Sequence, residues 1–151
     1  MGILSRRVFE SDPYPSYEAV DLDTGISFFL VRPTEIVEGV NWITGTPVYS
    51  FSKRGLEQAN DILTRAAEAL GEGVVIFIDE FGRLESRRMG IYPGIVKVIQ
   101  ALKRKGVAVI LCRGDKVAEV EELVSGSVEK VFIMVAGDPD ALLRAIQNHA
   151  K

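Results

Sequence analysis

The chain has 151 residues, with 18 basic and 21 acidic side chains, so its net charge is −3 and its pI is near 5.3. That length suits one domain able to bury about two thirds of its unfolded surface. A content of 47% hydrophobic and 26% charged residues is that of an ordinary soluble globular protein. The acidic balance argues against a dedicated nucleic-acid binder. A single cysteine, Cys112, excludes an internal disulfide, and a single histidine, His149, leaves no material for a histidine-rich metal site.

No stretch approaches the roughly 18 apolar residues of a membrane span, and the apolar start Met1–Leu4 meets Arg6-Arg7 too early for a signal-peptide core. The expected setting is cytoplasmic, with neither membrane nor nucleic acid as partner. One domain over residues 1–151 is expected, in two unlike parts: a β-rich stretch over 1–50 and alternating helix and strand over 51–151.

In the first part, Ile3, Val8 and Phe9 lie in a β-prone segment stopped by Asp12-Pro13 and Pro15. Tyr17, Ala19 and Leu22 sit among Glu18, Val20 and Asp21, the pattern of a half-buried strand. Asp23-Thr24-Gly25 then reads as a turn, and Ile26 to Val31 as the returning strand of an antiparallel hairpin or meander.

From Ser52 onward the pattern changes. Leu56, Ala59, Leu63, Ala66 and Leu70 recur at helical spacing, with Ser52 placed as N-cap and Gly71 as stop. Val74–Ile78 is an unbroken apolar run, which predicts a strand covered on both faces. A helix opening near Pro93 and ending at Gly106 leads to a second such strand, Val107–Leu111. Asp115 is placed to cap a third helix through Val117, Val120, Leu123 and Val124. Val131–Val135 predicts a third strand, and Asp138-Pro139 opens a last helix. Apolar strands alternating with amphipathic helices predict an α/β fold with three layers and a mainly parallel sheet, preceded by the N-terminal hairpin or meander. Ligands of such sheets bind beyond the carboxyl ends of the strands, so the residues after Ile78, Leu111 and Val135 are the ones to inspect.

Asp79 and Glu80 follow Ile78. An apolar strand ending in two acids has the form of a Walker B element, where one carboxylate helps hold Mg²⁺ on a nucleotide phosphate and the next can orient or deprotonate water. The plainer alternative is a strand whose acids simply meet solvent. Arg83, Arg87 and Arg88 come next, on the loop where phosphates would lie, and guanidinium groups suit phosphate. Pairing with Glu80, Glu85 or water is the other reading of these arginines. Arg113, after the second strand, could reach the same site or belong to a plain strand-to-helix turn. Cys112 reads as a packing residue, His149 as an exposed helix-end residue, and Trp42 as either a packing residue or a cover for the site.

The segment Val74-Val75-Ile76-Phe77-Ile78-Asp79-Glu80-Phe81-Gly82-Arg83-Leu84-Glu85 resembles the Walker B region of the small thermostable (cancer-related) nucleoside triphosphatases, an apolar run followed by Asp-Glu-Ile-Gly-Lys/Pro-Met-Glu. Gly2–Val8, Tyr17–Gly25 and Ser52–Leu70 look like that family's next strand, hairpin and helix. The resemblance implies a P-loop NTPase type of sheet, a magnesium-associated role for Asp79 and a water-activating role for Glu80. It also places Arg83 where lysine often stands.

The family's phosphate loop, GxxxxGK[ST], has no counterpart, and the chain contains no Gly-Lys dipeptide. Without that loop's backbone N–H groups and lysine, the loss of four charge-assisted hydrogen bonds would weaken nucleotide binding by about 6 kcal/mol. That is roughly four tenfold steps in affinity. The missing central strand predicts that Val74–Ile78 pairs directly with Val107–Leu111, or that another chain fills the gap.

Three readings follow. The first is a P-loop-less relative without hydrolysis of its own, a binding, regulatory or structural protein that can self-associate. In the second, a nucleoside triphosphatase uses Mg²⁺ with its nucleotide and takes its phosphate loop from upstream or from a P-loop-bearing partner chain. The third is an unrelated α/β protein with a small anionic ligand at Asp79, Arg83 and Arg113.

Overall fold

The computed structural model describes residues 1–9, 13–103, 106–135 and 137–150; Asp12, expected as part of a strand stop, lies outside them. Strand β1 (Gly2–Val8), β2 (Ser16–Asp21) and β3 (Ser27–Pro33) form the expected antiparallel meander. It is extended by β4 (Trp42–Thr44) and β5 (Tyr49–Ser52). Helix α1 (Lys53–Glu68), β6 (Val75–Phe81), the single turn α2 (Arg83–Ser86), α3 (Tyr92–Leu102), β7 (Val107–Cys112), α4 (Val117–Val124) and α5 (Pro139–His149) complete the order.

Among the described residues the strands make one seven-stranded sheet, ordered β4-β5-β3-β2-β1-β6-β7. The fold is α/β, but the sheet is mixed. Only β1–β6 and β6–β7 run parallel, because only β6 and β7 are reached through helical crossovers. The expected direct pairing of the two apolar runs occurs, in register from Val75 opposite Val107 to Ile78 opposite Ile110. On its other side β6 meets β1, with Gly2 opposite Phe77 and Ile3 opposite Ile78. The Met1 ammonium adds a hydrogen bond to the Val75 carbonyl at 3.0 Å.

Ser52 caps α1 as predicted, accepting from the Gly55 N–H at 3.0 Å. The helix then buries Ala59, Ile62, Leu63 and Ala66, a stripe at helical spacing. That stripe meets Ile95, Val98 and Ile99 of α3 over Ile3, Ala19, Ile76 and Ile78, and α4 joins the same cluster through Val124. The core therefore lies against one face of the sheet, where three layers were expected. The alternate residues Leu4, Val20, Phe77 and Val109 point to the other face and are half-buried.

Two local expectations fail. Asp115 does not cap α4; it pairs with Arg113 in a short 3₁₀ turn, and Lys116 holds the capping position with its side chain on Glu119 rather than on the helix's backbone N–H groups. Val131–Val135 forms no strand, and its residues are 40–90% exposed. Among the described residues the sheet ends at β7.

Candidate functional site

The acid pair sits at the carboxyl end of β6, as the apolar run predicts. Asp79 is half-buried and held by β1, where the Ser5 N–H donates to its Oδ2 at 2.9 Å. The Ser5 hydroxyl donates to the Asp79 carbonyl, also at 2.9 Å. Burial raises the Asp79 pKa, and the Ser5 N–H opposes that rise. Ser5 was not among the residues singled out from sequence. The signal was the register: once Ile3 pairs with Ile78, a residue two further along β1 lies beside the strand end.

Glu80 is exposed beside it. Its pKa is raised, first by desolvation and then by Asp79 and Glu85, while the Arg113 guanidinium pulls it down. Arg113 is thus brought to the acid end, although its hydrogen bonds go to Asp115 at 3.0 and 3.3 Å. Cys112 is held up as a thiol by burial, Glu80 and Asp115, which suits packing better than nucleophilic work.

The loop after the acids is braced from inside. Glu85 is only 7% exposed, and its two oxygens accept the buried N–H groups of Gly82 and Ile91, each at 3.0 Å. Gly90, at φ +65°, passes directly over that carboxylate, and a Cβ there would collide with Glu85 Oε1. Asn60 of α1 completes the brace. Its amide nitrogen donates to the Gly90 carbonyl at 2.9 Å, and its oxygen accepts the Gly94 N–H at 2.8 Å. The last glutamate of the acidic motif is therefore a structural strut, while Asn60 gave no signal beyond being a polar residue on an otherwise apolar helix face.

Arg83, Arg87 and Arg88 project from this braced loop into solvent. Among the described residues no hydrogen bond or ion pair holds their guanidinium groups, so they are not partners of Glu80 or Glu85. Arg88 adopts φ +59°, a conformation unusual for a residue with a side chain. Trp42 lies on β4, at the opposite end of the sheet order, half-buried with the Arg32 guanidinium 5.9 Å from its ring centre. It covers nothing at the acid end. His149 stands exposed at the end of α5, its ring 4.8 Å from that of Phe132.

Among the described residues no group of three or more His, Cys, Asp or Glu side chains could hold a metal ion. Asp79 offers one carboxylate with one oxygen already engaged, so the donor set does not make a magnesium site by itself. Mg²⁺ tolerates few protein ligands only when phosphates supply the rest. No described helix is long and apolar enough to cross a membrane. In comparisons with known proteins, no family model, no curated protein and no solved structure matches the chain.

Proposed function

We propose that this chain is a P-loop-less relative of a nucleoside triphosphatase, acting as a binding, regulatory or structural protein without hydrolysis of its own. The observation that supports this reading is the double pairing of β6. The strand bearing Asp79 and Glu80 has β1 on one side and β7 on the other. A phosphate-loop strand beside β6 would have to displace one of those ladders. Without such a loop, the acid end offers two carboxylates with Arg113 near Glu80, while Arg83, Arg87 and Arg88 stand exposed on the loop that follows. That set has charge but lacks the phosphate loop's backbone N–H groups. The partner of such a protein would be a second copy or another chain, with nucleotide at most a weak ligand.

A second reading keeps the enzyme, with Asp79 on a nucleotide's Mg²⁺, Glu80 at the attacking water and the phosphate loop brought by a partner or an upstream segment. It is favoured by Ser5, which holds Asp79 in one orientation as a working carboxylate would need. Calorimetric titration with MgATP and MgGTP, with Asp79→Ala as control, separates the two. The first reading expects no binding up to about millimolar nucleotide. Micromolar binding that disappears in Asp79→Ala would overturn it and make hydrolysis the next assay.

A further inference from the structure

We infer that Val131–Val135 docks on the free edge of β7 as an eighth, parallel strand. Two exposed features complement each other. Among the described residues nothing pairs with the outer edge of β7, which leaves a row of open N–H and C=O groups. Nearby in sequence, Val-Phe-Ile-Met-Val is a strand-forming run with three β-branched residues and one aromatic, yet it stands in solvent. An apolar run left that exposed in a soluble chain marks a surface that becomes covered.

The topology selects the cover. The β6–α3–β7 crossover moves outward along the sheet with α3 on the core face, since Ile95, Val98 and Ile99 pack with Ile76 and Ile78. Helix α4 lies on that same face, with Val124 in the core cluster against which Ala108 and Ile110 of β7 also pack. A further outward step from β7 through α4 repeats the hand of the crossover already made, and that hand is nearly invariant in parallel sheets. Val128 also packs on the core, a few residues before Val131, so the run is tethered to the same body as the edge it would occupy. A tether of that kind sets an effective concentration of about millimolar, above that of a second copy in ordinary solution. The run's own chain therefore takes precedence over a partner's strand.

Hydrogen exchange by mass spectrometry on the full chain tests this, at protein concentrations spanning about a hundredfold range. Docking expects every second amide of 131–135, those facing β7, to exchange at least about a hundredfold more slowly than an unstructured chain, equally at every concentration. Of Phe132→Pro and Ile133→Pro one removes a ladder donor, and in that variant every second amide of β7 should lose protection while Val75–Phe81 keeps its own. Unprotected exchange across 131–135 in the wild type would overturn the inference whether or not the variant folds. So would protection that grows with concentration alongside a dimer in sedimentation, which would give the edge to a second copy.

Discussion

Replacing Glu85 by alanine isolates the strut beneath the arginine loop. The substitution strands two buried N–H groups, those of Gly82 and Ile91, each now bonded at 3.0 Å. An unsatisfied buried donor costs about 1–3 kcal/mol, so the gross loss is about 2–6 kcal/mol. Part of it is returned, because a buried carboxylate is itself costly, as its raised pKa records. A net destabilisation of about 2–3 kcal/mol remains, which for a chain of this size lowers Tm by roughly 4–12 °C. Burial is the leading cause of the raised pKa, so the folded state binds the proton more tightly than the unfolded chain does. Wild-type stability from this group is therefore greatest below the unfolded carboxylate pKa and falls as pH rises through the folded one. The gap between wild type and Glu85→Ala should accordingly be wider at about pH 4 than at about pH 7. Urea melts at both pH values measure it, and amide exchange at Gly82 and Ile91 locates it. A variant within about 0.5 kcal/mol of wild type at both pH values would mean that water satisfies those donors equally well, and the strut argument would be wrong.

Gly94→Ala tests the α1–α3 contact. Its Cβ would stand 2.8 Å from Leu63 Cβ and 3.1 Å from Asn60 Oδ1, so overpacking should cost about 1–3 kcal/mol in denaturant melts. Arg88→Gly relieves the positive φ and should stabilise by about 0.5–1 kcal/mol, with loss of stability as the contrary result. For Glu80→Gln, the repulsion from Asp79 and Glu85 disappears. Because Glu80 is exposed, screening limits the gain to about 0.5 kcal/mol, a Tm rise of about 1–2 °C near neutral pH. Its raised pKa means that the gain vanishes as acid protonates the wild type, and thermal melts across the acid range would show the two curves meeting.

The fold was legible where periodicity and capping agreed. The Ser52 cap, the stripe of α1, the direct pairing of Val75–Ile78 with Val107–Ile110 and the Asp138 cap, which accepts the Ala141 N–H at 2.8 Å, all follow from local chemistry. What periodicity cannot see is which edge a strand joins. Composition alone made Val131–Val135 look like a strand, whereas strand status requires a ladder partner, and β7 leaves that edge open. The same limit hid the one-sided core, since an apolar run buried on both faces and one buried on one face read alike in sequence. At the acid end, residue identities pointed to Asp79, Glu80 and the arginines. Ser5 and Asn60 came into view only through register and the α1–α3 crossing, because neither carries a signature of its own.

The sheet order also restricts how any phosphate loop could reach Asp79. A new strand has three routes. Entry between β1 and β6 breaks the Gly2–Phe77 and Ile3–Ile78 pairs along with the Met1–Val75 bond, and it separates Ser5 from Asp79. Entry between β6 and β7 breaks a ladder running from Val75 to Phe81. The outer edge of β7 is free, but a strand there lies two strand spacings from β6, about 10 Å. Magnesium bridges its ligands at about 2 Å each, so a loop rising directly from such a strand cannot share an ion with Asp79 unless it folds back across β7. That edge is also the one Val131–Val135 is inferred to fill. A partner that completes a nucleotide site would therefore have to reach Asp79 with a loop laid over the strand ends, past Arg113, while leaving the sheet as it is. The same route constrains an upstream segment of the chain, and the two sources differ in one readout: activity that rests on a partner's loop would depend on the partner's concentration, whereas activity from the chain's own loop would not.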